Sequence, residues 1–196
     1  QVKTGDRIVS SDALFGSCQY IQAEILSKWG VETEFVDGRD NDAWAKALSK
    51  PTKVVFLETP SNPGLRLVDL KTVADLAHKA GATVVVDNVF ATPLLQQPLR
   101  FGADVVVYSA TKHIDGQGRS LGGVILGTRP FILETLQPFL RHTGPSLSPM
   151  NAWILLKGLE TLEIRVAHQS KSAETIAKAL EGHPKLSQVL YPTLKS

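Results

Sequence analysis

Six short apolar runs, most of them rich in valine, recur along the 196-residue chain. They are "RIVS", "VETEFV", "KVVFLE", "ATVVVD", "DVVVYS" and "GVILG", at residues 7–10, 31–36, 53–58, 82–87, 104–109 and 123–127. Short continuous runs of this kind are typical of strands buried on both faces, and helical patterns lie between several of them. The alternation predicts the α/β class, with a mostly parallel mixed sheet between two layers of helices.

Three segments have apolar residues at helical spacing, namely "QYIQAEILSKWG", "NDAWAKALSK" and "DLKTVADLAHKAG". In the third, Asp69 is placed to cap the helix start and Gly81 to end it. A long helical pattern runs on from Pro149, and the next strand-like run is "SQVLYP". We therefore expect a large domain over 1–145 and the start of a second, truncated domain over 146–196.

Composition excludes several classes of partner. A net charge of +2 gives no reason to expect a nucleic acid or an anionic membrane, and no stretch is long and apolar enough to span a bilayer or act as a signal peptide. The single cysteine, Cys18, can form neither an internal disulfide nor a metal cluster, and the histidines lack ligand spacing. We expect a cytoplasmic protein without a metal site.

Polar side chains end three of the apolar runs, where Glu58, Asp87 and Ser109 follow the valines. Ligands of open α/β sheets bind beyond the carboxyl ends of the strands, so these residues are candidates for one crevice. Each could also be the start of a solvated loop. Lys112, three residues after Ser109, favours the functional interpretation.

A lysine amine forms imines with carbonyl compounds, and Ser109, Thr111 and the glycines from Gly116 onward can bind an anion through hydroxyls and backbone N–H groups. An aldehyde that carries a phosphate satisfies both requirements, and pyridoxal 5'-phosphate is such a molecule. It also requires a carboxylate at its ring nitrogen, for which Asp87 is the candidate. Glu58 is interpreted as a structural partner of the loop that carries Asn62.

Two other interpretations stay open. The segment "GQGRSLG" has the form GxGxxxG but follows the lysine instead of opening a helix after a first strand, so it is a poor dinucleotide fingerprint. The chain has no GxxxxGK[ST] motif of a phosphate-binding NTPase. A dinucleotide binder or a noncatalytic α/β module remains the alternative from a different class.

The segments "VVFLETPSNPGLRLVDL", "VVVDNVFATPLLQQPLRFGADVVVYSATKHIDGQG" and "LGGVILG" resemble the Cys/Met-metabolism enzymes that depend on pyridoxal phosphate. The resemblance implies the fold type I of the aspartate aminotransferase-like transferases. It makes Lys112 the catalytic lysine that binds the cofactor aldehyde. The other cofactor-binding residues that it implies are Asp87 at the ring nitrogen, Ser109 and Thr111 at the phosphate, Asn62 at the ring hydroxyl and Phe15 stacked on the ring.

Phe15 stands where many members of the family have a tyrosine. A phenyl ring can stack on the cofactor, but it has no hydroxyl to pass a proton. Any acid role of that tyrosine in relatives must then fall to Lys112, water or another group.

Two segments, "TKHIDGQGRSLGG" and "GPSLSPMNAW", are most similar to the branch of the family that acts on O-succinyl-L-homoserine and sulfide, giving homocysteine for methionine biosynthesis. The γ-lyases and γ-synthases usually have GHSD where this chain has residues 116–119. A cystathionine γ-synthase, cystathionine γ-lyase or methionine γ-lyase remains the alternative. Arg119 could contact the succinyl group or be a solvated loop arginine.

The resemblance also implies missing parts. Relatives have an earlier segment that contacts the phosphate and reaches into a neighbouring subunit, and a later domain that binds the substrate carboxylate. We expect this chain to be an internal fragment, inactive alone, in which 1–145 is most of the cofactor-binding domain and 146–196 an interdomain helix with the start of the second domain. The shared sites imply a homo-oligomer, a dimer or a tetramer.

Overall fold

A computed structural model describes residues 2–194, which form one six-stranded sheet with helices. The strands are β1 (Arg7–Ser11), β2 (Glu32–Val36), β3 (Val54–Glu58), β4 (Thr83–Asp87), β5 (Val105–Ser109) and β6 (Gly123–Gly127). Their order is β2-β1-β3-β4-β5-β6, with β1 to β5 parallel and β6 antiparallel to β5. All six apolar runs are strands, which confirms the predicted α/β class and its mixed sheet.

The α-helices are α1 (Gly16–Tyr20), α2 (Asn41–Ala47), α3 (Leu70–Lys79), α4 (Thr92–Leu95), α5 (Gln137–Thr143), α6 (Pro149–Leu159) and α7 (Leu162–Leu180). Ile21–Ile25 and Phe131–Leu136 are π-helical, and Leu26–Trp29 and Pro98–Phe101 are 3-10 turns. Within residues 2–194, no helix combines the length and the apolar composition needed to cross a membrane.

The predicted caps of α3 are confirmed. The Asp69 carboxylate accepts the Thr72 N–H at 3.1 Å, and Gly81 follows the helix with φ +77°. The first helical pattern is present but irregular, since α1 continues into the π-helical and 3-10 turns. The pattern after Pro149 is two helices instead of one, because α6 ends before Thr161 and α7 starts anew.

The prediction of a strand at "SQVLYP" is wrong, because residues 187–192 adopt no regular structure. A strand requires a neighbour to pair with, and in residues 2–194 all six strands belong to the sheet formed by residues 7–127. The Tyr191 hydroxyl instead donates to the Ser170 carbonyl of α7 at 3.3 Å.

Two of the three apolar clusters in residues 2–194 pack α-helices against the sheet. The larger packs α2 and α3 on β1, β3 and β4 around the fully buried Trp44, whose Nε1 donates to the Gly38 carbonyl at 3.0 Å. The smaller packs Leu155 of α6 against Val106, Tyr108, Ala110 and Ile114. The second cluster fixes β5 and the turn after it, where the candidate site lies.

Candidate functional site

The strand register brings the three polar strand ends to one edge. Glu58 pairs with Asp87 across β3 and β4, and Asp87 pairs with Val107 of β5. Ser109 therefore lies two residues further along β5, opposite Gly123 of β6. The predicted convergence of these residues at the carboxyl ends of the strands is confirmed.

Glu58 ties two other candidate residues to this edge. One carboxylate oxygen accepts the Phe15 N–H at 2.6 Å, and the other accepts the Asn62 N–H at 3.0 Å. The prediction that Glu58 supports the loop of Asn62 is confirmed, and Glu58 also anchors the start of α1. Phe15 is 48% exposed, so it is accessible to a ligand at this edge.

Of the two carboxylates at this edge, Glu58 is buried and Asp87 is half-buried. Burial raises the pKa of Asp87 above its ordinary value, partly opposed by the Val89 N–H at 3.0 Å. Burial also raises the pKa of Glu58, the Phe15 N–H opposes this, and the charge of Asp87 raises it further. In the part of the chain that the structure describes, neither carboxylate forms an ion pair. The edge favours a ligand group that brings a proton or positive charge.

Lys112 lies in a tight turn directly after β5, with its side chain exposed. The Lys112 N–H donates to the Ser109 carbonyl at 3.3 Å, and the Gly116 N–H donates to the Lys112 carbonyl at 2.8 Å. The Thr111 hydroxyl oxygen accepts the Gly122 N–H at 3.3 Å, so its own proton is free for an anion. The turn presents an amine and hydroxyls from adjacent positions.

The glycine-rich loop after this turn is organised by Asp115, which is only 1% exposed. Its carboxylate accepts the Arg119 N–H at 2.6 Å and Arg119 Nε at 3.0 Å. Both bonds hold the pKa of Asp115 below its ordinary value, and the bond from the Arg119 backbone N–H has the larger effect. Arg119 is thus held by the loop itself, and its contact with a succinyl group stays a prediction.

Cys18 belongs to this edge, although the sequence suggested no role for it beyond the absence of a disulfide. Burial raises the pKa of its thiol to about 11, with further contributions from the charges of Asp87 and Glu58. The position of Cys18 three residues after Phe15, at the start of a helical pattern, was the available signal.

Asn88 is a second residue that the sequence analysis missed. It is fully buried and donates to the Tyr108 hydroxyl at 2.9 Å and to the Gln96 carbonyl at 2.9 Å. The Gln96 side chain donates in turn to the Thr59 carbonyl at 2.7 Å. This network joins the ends of β3, β4 and β5 behind Asp87. An amide directly after a buried valine run was the signal.

The edge thus offers a primary amine, hydroxyls and an uncompensated carboxylate, which are the groups that a phosphorylated aldehyde with a basic ring nitrogen requires. Among residues 2–194, no three histidine, cysteine, aspartate or glutamate side chains are grouped to hold a metal ion. The arrangement fits an organic cofactor.

Comparison with known proteins gives a consistent picture. The family model described as Cys/Met metabolism PLP-dependent enzyme matches residues 1–196. O-succinylhomoserine sulfhydrylase of Mycobacterium tuberculosis is 61% identical over 192 residues, which is 98% of this chain and 47% of that protein. The enzyme of the same name from Pseudomonas aeruginosa is 46% identical over 193 residues, covering 98% and 48%.

Solved structures agree with this. The crystal structure of metB from Corynebacterium glutamicum superposes with a TM-score of 0.96 at 37% identity, covering all of this chain and 51% of that one. The chain spans about half the length of the curated relatives it matches.

Proposed function

The chain belongs to the Cys/Met metabolism PLP-dependent enzymes, and we propose that the full-length protein replaces the succinyl group of O-succinyl-L-homoserine with sulfide, releasing homocysteine and succinate. The two sulfhydrylases at 61% and 46% identity support this choice of substrates. Family membership also favours pyridoxal phosphate over the dinucleotide alternative.

The observation that carries the proposal is the half-buried carboxylate of Asp87, which forms no ion pair in residues 2–194 and lies at the same edge as Lys112. Pyridoxal phosphate, when bound, supplies a ring that withdraws electrons from the substrate's α carbon. In our proposal Asp87 holds a proton on the ring nitrogen, and the raised pKa of this carboxyl suits a shared proton. Ser109 and Thr111 bind the phosphate.

Lys112 has two tasks in this proposal. Its amine would bind the cofactor aldehyde, and as a free amine it would remove the α proton of the substrate as general base. Its exposed position in the turn leaves the amine accessible for both tasks. Asn62 orients the ring hydroxyl and the substrate carboxylate, and Phe15 packs its phenyl ring on the cofactor.

We further propose a cytoplasmic homo-oligomer, a dimer or a tetramer, and a domain division near residue 145. The large apolar side chains that α6 leaves exposed support a subunit or domain contact on that face, among them Met150, Trp153 and Leu156. Exposed apolar surface of this extent is typical of interaction sites.

The test uses the full-length protein with added pyridoxal phosphate. We expect a visible absorbance band that is lost in Lys112→Ala and kept in the control Lys79→Ala, an exposed lysine at the end of α3. Product analysis then offers O-succinyl-L-homoserine with sulfide or with cysteine. Homocysteine from sulfide supports the proposal, whereas cystathionine from cysteine without any reaction of sulfide would overturn it in favour of a γ-synthase.

A further inference from the structure

Arg165, near the start of α7, contacts the turn that carries Lys112. Its Nη2 donates to the Gly158 carbonyl of α6 at 2.8 Å and to the Ile114 carbonyl at 3.4 Å. Its Nε donates to the Thr161 hydroxyl at 3.1 Å. One guanidinium therefore joins the end of α6, the start of α7 and the turn after β5.

The guanidinium also lies directly against the backbone of Gly116. Gly116 has φ +74°, and a Cβ at this residue would collide with the guanidinium carbon and lie 2.9 Å from Nη2. Gly158 makes a second close approach, since a Cβ there would collide with the Ile114 carbonyl oxygen. Two glycines thus admit a contact between helix and turn that any side chain would prevent.

The turn is held from two sides. Its start is tied to the sheet, because the Ala110 N–H donates to the Gly122 carbonyl at 2.9 Å and the Gly122 N–H donates to the Thr111 hydroxyl at 3.3 Å. Within the turn, the Asp115 N–H donates to the Ala110 carbonyl at 2.9 Å and the Gly116 N–H donates to the Lys112 carbonyl at 2.8 Å. Leu155 and Arg165 hold its far end from the helices, Leu155 through apolar packing against Ile114 and Arg165 through the Ile114 carbonyl.

One nitrogen of Arg165, Nη1, is buried without a hydrogen-bond partner in residues 2–194. Leaving a guanidinium donor unsatisfied is unfavourable, so stability alone is a poor reason for an arginine here. A requirement to hold the turn of Lys112 in one position is a better reason for an arginine at residue 165.

We propose that Arg165 is a positioning residue for Lys112: it fixes the turn 112–116 against α6 and α7 and so sets where the lysine amine meets the cofactor. The proposal rests on the proposed function of Lys112. Arg165 itself has no described contact with Lys112 and acts through the backbone of Ile114 and Gly116.

His113 gives an independent reporter of this contact. Burial lowers the pKa of its imidazole, and the charge of Arg165 lowers it further. Arg165→Ala removes the charge and should raise the pKa of His113 toward its ordinary value. Arg165→Lys retains a charge, so the pKa should stay low although the hydrogen bond to Ile114 is lost. NMR titration of His113 in the two variants therefore separates the effect of the Arg165 charge from the effect of its hydrogen bond to the turn.

The decisive experiment measures the dissociation constant for pyridoxal phosphate and the pH dependence of its visible band in full-length protein. We expect Arg165→Ala and Arg165→Lys to weaken cofactor binding by about 10- to 100-fold, the range found for outer-shell partners of bound metal ions. The pH at which the band titrates should also shift. Arg129→Ala, at an exposed arginine after β6, is the matched control and should change neither.

A double-mutant cycle sharpens the test. Gly116→Ala alone should weaken cofactor binding, because the new methyl group displaces the Arg165 guanidinium. In the Arg165→Ala background, the same substitution should weaken cofactor binding by a much smaller factor. The strain of a positive φ is present in both backgrounds and cancels.

Wild-type affinity and an unchanged band titration in both Arg165 variants, with only a lower melting temperature, would overturn the proposal. Retention of the band in Lys112→Ala would instead contradict the proposed function, so the two failures are distinguishable. If Arg165→Ala does not fold, Arg165→Lys decides.

Discussion

At the amino-terminal edge of the sheet, the buried guanidinium of Arg7 has partners at both Nη atoms, although its Nε has no hydrogen-bond partner in residues 2–194. At the carboxyl-terminal edge, Asp87 and Glu58 form no ion pair within the same residues. Arg7 Nη1 donates to the Ala47 carbonyl at 3.1 Å and to the Thr52 hydroxyl at 2.7 Å, and Nη2 pairs with Glu34. Within residues 2–194, the hydrogen bonds to the carboxylates at the opposite edge all come from backbone N–H groups.

The difference separates two uses of buried charge. A charge that has an opposite charge and several hydrogen bonds around it is largely compensated within the fold, and removing one partner mainly destabilises the protein. A charge left with only partial compensation has a raised or lowered pKa and is typical of a site that a ligand completes. The first kind lies at Arg7 and the second at Asp87.

The largest effect is expected at Asp87. If Asp87 has its proposed role at the ring nitrogen, Asp87→Asn should lower turnover of the full-length protein by about 10²- to 10³-fold, because a preorganised charge is lost there. The unloaded protein should be as stable as the wild type or more stable, since the variant removes a poorly solvated anion. Steady-state kinetics and thermal melts of both forms check this, with the exposed Asp75→Asn as control. If Asp87→Asn without cofactor were strongly destabilised, Asp87 would stabilise the fold as Arg7 does, and the difference between the two edges would be contradicted.

Arg7→Leu should have the opposite effect to Asp87→Asn, lowering stability and leaving cofactor binding unchanged. Loss of the guanidinium is expected to reduce the free energy of unfolding by about 1–3 kcal/mol, because the Ala47 carbonyl and the buried Thr52 hydroxyl lose a charged donor, whereas Glu34 is partly exposed to water. Cofactor affinity should remain that of the wild type, since Arg7 lies at the other end of β1. Urea unfolding and a cofactor titration test the two parts, and a weakened affinity would break the distinction between the edges.

The pH dependence of stability is the third test. Glu58 and Asp87 have raised pKa values in the folded state, so they contribute stability below the ordinary carboxyl pKa of about 4 and lose it as pH rises through the folded values. Each group changes the slope by up to about 1.4 kcal/mol per pH unit within that window. Glu58→Gln combined with Asp87→Asn should flatten the slope of unfolding free energy against pH. An unchanged slope would show that neither carboxyl is strained by burial.

The smallest effect is expected at His78, which pairs with Asp104 at the amino-terminal edge across 3.0 Å. Both side chains are close to half exposed, so His78→Asn should change the free energy of unfolding by only about 0.5 kcal/mol. Urea unfolding near pH 6 measures it. A change of several kcal/mol in the free energy of unfolding would mean that the exposure of this pair does not make it weaker than the interactions of the buried Arg7.

Local patterns carried most of what could be predicted. The valine runs specified all six strands, and the polar residue at each strand end specified the edge where Glu58, Asp87 and Ser109 meet, because both features depend on neighbours in the chain. The short α4 and α5 and the break between α6 and α7 were not predicted, since they are too short or too irregular for a periodic signal.

The contacts that could not be predicted join distant segments. Gly116 could be recognised as a residue suited to a turn, but nothing in the sequence names the guanidinium that lies on it. The buried amide network of Asn88, Gln96 and Tyr108 likewise depends on how the ends of β4 and β5 are brought together. Tertiary packing decides such contacts.

The contact between Arg165 and the turn of Lys112 has a consequence for synthesis of the protein. The Ile114 carbonyl and the Arg165 guanidinium are 51 residues apart in the chain. A ribosome that adds about 5–20 residues per second needs roughly 3–10 s to cover that distance. During this interval the strands of the sheet can already pair, while the lysine turn lacks the helix that holds it. The nascent chain can therefore pair the strands of its sheet before the turn of Lys112 is held in place.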